Sequence, residues 1–523
     1  MPRSSSRRRI MISLTTMFAV DQRRWSSAAH LDNRAGKPSH RRLEHTQDPR
    51  SHAKHSDRQC LALDREEHVM RPDALLPAVA TAMSLICVGS ADAKPMAFTG
   101  VRLIDGRSAQ PVEDAVLVID GDRIVAAGPR TAITVPPDAD IREQHGHTIM
   151  PGLISDHSHV GIVKGVDVGA QNYTRENILD QLKAYTARGV TTVMALGLNG
   201  AIMPEIRAEA HAGRIPGADL FGVDRGIGVP DGGPPQAMIR VSADQLLRPA
   251  NAEEGREAVR AMKARGTDMV KLWLDDFGGS VPAKMQPAVY SAVIDEAHRL
   301  GLRVAAHVHD LEDARAVTKA GVDVLAHGVR DKPVDADLIA VLKAHHTWYI
   351  ATLALDEATF AYADAPGWAQ TPFVRTALAP ELKARFDDPA WQSETRTSAK
   401  AQAARDSLAV NLANLKRLDD AGVRIGFGTD SGAAPERVPG VAEHRELALM
   451  VQAGFTPMQA LITATSRAAA LLDLADRGSL EAGRRADLVI LAADPSQDIA
   501  NSSRIVEVWQ AGRQQDVAST TSP

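Results

Sequence analysis

The stretch Thr148-Ile-Met-Pro-Gly-Leu-Ile-Ser-Asp-His157-Ser-His159 decides how this chain is read. An apolar run ends in two imidazoles two residues apart. Alternate residues of a strand share a face, so both rings can aim at one point. Two neutral imidazoles converging at a strand end are half of a divalent-metal site. A surface loop can carry the same pair by chance, so its meaning depends on the residues downstream.

Four more polar residues each close a short apolar run. Lys271 lies in Met269-Val-Lys-Leu-Trp273, His307 ends Arg303-Val-Ala-Ala-His307, His327 lies in Val324-Leu-Ala-His-Gly328, and Asp430 ends Arg424-Ile-Gly-Phe-Gly-Thr-Asp430. Helical spans separate them. Residues 285–300 put Met285, Val289, Val293, Ala297 and Leu300 on one face, and residues 404–418 do so with Leu408, Leu412, Leu415 and Leu418. Strand-like runs fall at 148–155, 190–196, 218–224, 269–275, 303–308, 323–329, 347–354 and 424–430. This alternation predicts an α/β chain folded as a (β/α)8 TIM barrel. In that architecture all C-terminal strand ends open on one face, where residues far apart in sequence meet.

The ordered series Pro151-Gly-Leu-Ile, His157-x-His159, Lys271, His307, His327-Gly328 and Gly428-Thr-Asp430 resembles the amidohydrolase superfamily. It is most similar to the branch of imidazolonepropionase-like and Xaa-Pro dipeptidase-like enzymes. The resemblance runs from about Phe98 to Arg513 and includes the segment Gly478-Ser-Leu-Glu-Ala-Gly-Arg-Arg-Ala-Asp-Leu-Val-Ile490. It implies a hydrolase of amide-type C–N bonds in a dipeptide-like, N-acyl amino acid or cyclic amide substrate. It further implies two divalent metal ions bridged by Lys271 as N6-carboxylysine. His157 and His159 with Asp430 would hold one ion, and His307 with His327 the other. A free ammonium would repel cations, whereas a carbamate offers two anionic oxygens. By the same likeness Lys271 and Asp430 are the catalytic residues, Asp430 orienting the attacking water and carrying its proton to the departing nitrogen.

His309 shares a strand face with His307 and reads as a substrate contact or as an alternative ligand. Trp273 and Asp275 alternate with Lys271 and are expected at the pocket mouth; Tyr349 and Arg330 are further candidates for substrate binding. Where members of the superfamily carry an acid two residues before the first histidine, this chain has Ser155, with Asp156 shifted to the opposite face. A deaminase on the same scaffold is the alternative reading. Deaminases use one metal and a glutamate three residues after the strand-five histidine, a position held here by Asp310. A non-catalytic binding protein with a relic barrel is the third, and it is disfavoured by the complete ligand set.

The chain has 523 residues, 44% hydrophobic and 24% charged, ordinary for a soluble globular protein. Residues 1–69 hold 14 Lys/Arg against 8 Asp/Glu, which leaves 70–523 at −11 of the total −5. That balance gives no basis for nucleic-acid binding. Residues 1–69 read as disordered or as leader upstream of the true start. Residues 70–93, with Arg71, an apolar centre from Ala74 to Val88 and Ala91-Asp-Ala93, have the layout of a signal peptide. The expected location is periplasmic or secreted, with no stable membrane span after cleavage. Both cysteines, Cys60 and Cys87, precede that cleavage point. The ligands are therefore imidazole, carboxylate and carbamate, a set that suits zinc.

Short alternating strands mark residues 94–150, with Asp105-Gly106 and Asp120-Gly121 as hairpin turns, and more strands mark 477–515. These two ends are expected to form one small β-sandwich beside a catalytic domain spanning 151–476, followed by a tail at 516–523. The stretch 355–400 is long for a barrel connection. Its Phe360, Tyr362, Trp368 and Phe373 read as a lid or as a contact in a homo-oligomer.

Overall fold

The computed structural model describes residues 94–236 and 239–517. The readings of 1–69 and 70–93, of both cysteines and of most of the tail fall outside these residues.

Five strands open the chain: β1 (Met96–Leu103), β2 (Val112–Asp120), β3 (Arg123–Pro129), β4 (Asp140–Glu143) and β5 (Thr148–Pro151). Eight parallel strands follow: β6 (Leu153–Ser158), β7 (Val190–Ala195), β8 (Asp219–Gly222), β9 (Val270–Trp273), β10 (Val304–His307), β11 (Val324–Ala326), β12 (Trp348–Ile350) and β13 (Arg424–Gly426). The chain then returns through β14 (Leu488–Leu491), β15 (Ile505–Gln510) and β16 (Arg513–Gln515).

Both chain ends meet in one eight-stranded sheet, ordered β16-β15-β14-β5-β1-β2-β3, with β4 paired to β1. Phe98, Leu117, Ile149, Leu488, Ile490 and Trp509 are buried together as its core. Beyond β3 the Ile124 amide donates to Arg484 O at 2.9 Å, which ties the sheet's last strand to the segment entering β14.

The parallel strands form two sheets, β8-β7-β6 and β9-β10-β11-β12-β13. Backbone hydrogen bonds join their outer edges. Ile227 donates to Lys271 O at 2.8 Å and Trp273 to Ile227 O at 2.9 Å, linking the segment after β8 to β9. Asp156 donates to Phe427 O and His159 to Ser431 O, both at 2.7 Å, linking β6 to the segment after β13. β6, β7, β9, β10 and β11 are buried along their whole length, as parallel strands covered on both faces require, while Phe221 of β8 and Trp348 of β12 are half-buried and Arg424 at the start of β13 is exposed.

The helices between them include α1 (Arg175–Thr186), α2 (Met203–His211), α3 (Ala252–Ala264), α4 (Pro287–Arg299), α5 (Leu311–Lys319), α6 (Ala336–His345), α7 (Leu353–Glu357), α8 (Ala399–Asp420) and α9 (Val441–Gln452). Side chains of Thr174, Asn251, Asp335 and Ser398 accept from the first-turn amides of α1, α3, α6 and α8. Each such cap contributes about 1 kcal/mol. Among the described residues no helix is long and apolar enough to cross a membrane.

Two local expectations are corrected. The run 148–155 is not one strand: Met150 pairs antiparallel with Val489 in the terminal sheet, whereas Leu153 pairs parallel with Val190. The chain changes sheets at Gly152, and both sheets demand apolar residues, so hydrophobicity alone cannot see the change of partner. Asp105-Gly106 is not a tight hairpin either. Asp105 Oδ1 accepts from the Arg107 and Ser108 amides, both at 2.7 Å, inside a wider loop between β1 and β2. In 355–400, Tyr362 stacks on Phe386 with ring centroids 4.0 Å apart, and Phe373 meets His444 edge-on at 4.8 Å. Tyr362, Phe373 and Phe386 are buried by these contacts, and Phe360 and Trp368 remain half-buried.

Candidate metal centre

The C-terminal ends of β6, β9, β10, β11 and β13 bring the polar residues of those runs together. His157 Nε2 lies 3.2 Å and His159 Nε2 2.9 Å from Asp430 Oδ1. The His157 and His327 rings are 4.6 Å apart at their centroids, and the His307 and His327 rings 4.4 Å. Ligand atoms of His157, His327 and Asp430 all lie within 4.8 Å of one another, the spacing of a metal-binding cluster. Lys271 is fully buried, its Nζ 5.3 Å from the Trp273 ring centroid.

The polar atoms here are not satisfied by the protein. Both ring nitrogens of His157, Nδ1 of His307, Nζ of Lys271 and both carboxylate oxygens of Asp275 are buried without a hydrogen-bond partner. Each such group ordinarily costs about 1–3 kcal/mol. Native interiors pair nearly all of their polar atoms, so a cluster of orphans on ligand-type side chains fits a bound cation. The electrostatics agree. Burial, reinforced by the Lys271 charge, pushes His157 down to about 3. Burial also lowers His307 and takes His327 well below the usual imidazole range. All three rings are therefore neutral and able to donate a lone pair at neutral pH. Burial brings the Lys271 amine down to about 7. Burial works against ionisation of Asp430, yet Arg437 and the two histidines hold its carboxyl well below the ordinary range.

Backbone strain concentrates at the same place. His327, Thr352 and Asp430 have φ of +107°, +47° and +59°, the left-handed region that residues with a side chain avoid. Such conformations cost about 1–3 kcal/mol each and persist where the surroundings over-determine them. The surroundings are visible. Thr352 Oγ1 is 2.9 Å from His327 Nδ1, and His159 Nδ1 is 3.2 Å from Gly197 O. Asn411 of α8 donates to Ala351 O at 2.9 Å and packs against the residue after His327. A Cβ on Gly328 would sit 1.9 Å from Asn411 Oδ1, so only glycine fits there.

The other sequence candidates divide. Asp275 is buried with Oδ2 3.4 Å from His307 Nε2, and Trp273 is buried beside Lys271. Arg330 is buried with Nε 3.6 Å from Asp356 Oδ1. His309 is half-buried and engages Asp310 Oδ1 at 2.8 Å, so His307, not His309, joins the imidazole group. Tyr349 is fully buried and its hydroxyl accepts from the Val329 amide at 2.8 Å, so that oxygen is already engaged in holding backbone.

Sequence reasoning missed four residues. Arg437 contacts Asp430 Oδ2. Phe277 stacks on His307 with centroids 4.6 Å apart. Glu443, buried on α9, accepts from Thr429 Oγ1 and Ser431 Oγ at 2.7 Å and from Ser155 Oγ at 3.1 Å. Glu446, one turn on, accepts from the Leu353 and Ala354 amides, and burial pushes its carboxyl up to about 8. The acid absent at Ser155 is thus supplied from α9. Asp156 instead accepts from the Phe427 amide at 3.1 Å, and burial pushes its carboxyl well up.

Comparison with known proteins agrees with this geometry. The model of the amidohydrolase family matches residues 148–517. The imidazolonepropionase of Deinococcus radiodurans is 26% identical over 427 residues, covering 77% of this chain and 92% of that protein. The ochratoxinase of Aspergillus niger is 25% identical over 481 residues, covering 82% and 88%. A solved Xaa-Pro dipeptidase with bound methionine superposes with a TM-score of 0.65 at 22% identity, covering 80% of this chain and 99% of that one. The chain belongs to the amidohydrolase family and is a metal-dependent hydrolase acting on carbon–nitrogen bonds of small molecules.

Proposed function

We propose that the protein hydrolyses an amide-type C–N bond in a dipeptide-like, N-acyl amino acid or cyclic amide substrate, at a binuclear centre bridged by carboxylated Lys271. The observation that carries this reading is the convergence of His157, His159, His307, His327, Lys271 and Asp430 on one buried spot, with both ring nitrogens of His157, Nδ1 of His307 and Nζ of Lys271 unpaired. His157, His159 and Asp430 would hold one ion, His307 and His327 the other, and a carbamate on Lys271 would bridge them. When bound, two divalent cations, zinc by the donor chemistry, would act as Lewis acids toward the scissile carbonyl and the attacking water.

The chain's own residues account for the remainder. Carboxylation needs a neutral amine, and burial supplies one by bringing Lys271 down to about 7. The amine attacks carbon dioxide, loses a proton and becomes an anionic carbamate. Asp430 takes a proton from the attacking water and delivers it to the departing nitrogen. Arg437 engages Asp430 Oδ2, which leaves Oδ1 to face His157 and His159. Bonds joining both edges of the two parallel sheets support a closed (β/α)8 barrel as the frame. The tie between β3 and the segment entering β14 supports a sandwich-like closure of the terminal sheet.

The test is metal analysis with a substrate panel. Purified protein should hold about two ions per chain, lose activity on chelation, and cleave members of a dipeptide, N-acyl amino acid and lactam panel. One ion per chain with ammonia release from aminated heterocycles would instead establish a deaminase.

A further inference from the structure

Helix α9 carries two buried carboxylates one turn apart, Glu443 and Glu446, at 0% and 2% exposure. Among the described residues neither has a lysine or arginine partner within ion-pair distance. A buried carboxyl group without a counter-charge is tolerated where its oxygens are filled by hydrogen-bond donors. Here the side-chain donors to Glu443 include both neighbours of Asp430, and the amides that reach Glu446 follow the residue that contacts His327.

Glu443 accepts from the hydroxyls of Thr429 and Ser431, both at 2.7 Å, and these two residues flank Asp430 on either side. The Ser431 amide in turn donates to Thr429 Oγ1 at 3.1 Å, so the turn that gives Asp430 its positive φ is cross-braced. The other oxygen of Glu443 takes the Gly440 amide at 2.8 Å, fixing the carboxylate to the start of its own helix. Glu446 accepts from the amides of Leu353 at 2.9 Å and Ala354 at 2.7 Å. Those amides follow Thr352, whose strained backbone presents Oγ1 to His327 Nδ1 at 2.9 Å.

We propose that α9 is a positioning element for the metal centre: Glu443 fixes Asp430 through Thr429 and Ser431, and Glu446 fixes His327 through the Thr352 turn. One rigid helix thereby sets the distance between the two halves of the site. The inference rests on the reading of Asp430 and His327 as ligands of different ions. It assigns Glu443, Glu446 and Thr352 as positioning residues, since none of them touches the reacting atoms.

The experiment uses full-length protein stripped with a chelator and titrated with Co²⁺, followed by visible absorption and by metal content after gel filtration. Melting of each metal-free variant serves as the folding control. Thr352→Val and Glu446→Gln should each weaken one of the two cobalt equivalents by about 10–100-fold, the usual effect of removing a partner that orients a ligand. Thr352→Ser, which keeps the hydroxyl, should restore binding to near the unaltered level. The double variant Thr352→Val/Glu446→Gln should lose no more than the weaker single, because both act on one path. Glu443→Gln, with Ser431→Ala as its milder counterpart, should weaken the other equivalent. Two full-affinity equivalents in Thr352→Val and Glu446→Gln would overturn the inference alone, as would a Thr352→Ser variant as weak as Thr352→Val. An unaltered chain that takes up no cobalt would overturn the ligand reading itself, and the inference with it.

Discussion

Replacing Lys271 by methionine should make the metal-free protein more stable and at the same time inactive. The amine falls from its ordinary 10.5 to about 7 in the fold because burial penalises the ammonium, with Asp430 and Asp275 offsetting only part. At about 1.4 kcal/mol per pH unit, that difference makes burying the protonated side chain cost on the order of 5 kcal/mol below pH 7. Between about 7 and 10.5 the unfolded chain binds a proton that the folded one has released, so this contribution to stability rises with pH. The cost shrinks to roughly 3 kcal/mol at pH 8.5 and vanishes above pH 10.5. Methionine fills a similar volume without a charge, so the advantage of Lys271→Met should fall by about 2 kcal/mol between pH 6 and pH 8.5. Packing differences between the two side chains do not depend on pH and cancel from that change. Urea unfolding of chelated protein in CO2-depleted buffer at the two pH values measures it, and a turnover assay of the metal-loaded variant gives the functional half. A stability difference that is flat with pH would refute the burial argument. Retained turnover would refute the bridging role.

Asp430→Asn should keep the fold by circular dichroism and lose about 10²–10⁴ in kcat, the range expected when a positioned proton carrier is removed. A loss under tenfold would remove Asp430 from proton transfer. Gly428→Ala should weaken metal binding without touching a ligand, since its Cβ would fall 2.6 Å from His157 Cβ and 2.7 Å from its amide nitrogen. Overpacking of that kind costs about 1–3 kcal/mol, read as a lower melting temperature together with a lower metal content. Unchanged metal content would show that β6 can yield there. From the layout of residues 70–93 we propose a mature chain beginning Lys94-Pro-Met, which N-terminal sequencing of native protein checks. A start upstream of Met70 would count against it.

The ligand-type residues were legible because strand ends obey simple rules. An apolar run that stops at His or Asp marks a place where a buried strand emerges, and His157, His307, His327 and Asp430 sit at or just beyond such ends, while Lys271 interrupts the apolar run of β9 two residues before its end. The supports were not legible, because they depend on contacts between elements remote in sequence. Ser155 reaches Glu443 across 288 positions, and Leu353 reaches Glu446 across 93. One signal was available: Glu443 and Glu446 share a helix face with Leu447 and Met450, and acids so placed must find donors inside the protein. The change of sheet at Gly152 left no trace, because β5 and β6 are apolar for two different partners. Asp105-Gly106 misled for the opposite reason, since the aspartate side chain formed its own turn within a longer loop.

Stability and function pull against each other at this site, and the fold keeps the two apart in space. The strand ends carry the unfavourable features: a buried amine, unpaired imidazole nitrogens and three non-glycine residues at positive φ. The offsetting hydrogen bonds come from α8 and α9 behind them, through Asn411 to the Ala351 carbonyl, Glu446 to the α7 amides and Glu443 to the hydroxyls around Asp430. None of those helix groups needs to contact substrate. Phe277 on His307 and Arg330 beside Asp356 lie outside that set of supporting contacts. Relatives named for an imidazolone and for ochratoxin each resemble this chain over most of its length. Family membership follows from the frame, and the substrate has to be read from the loops.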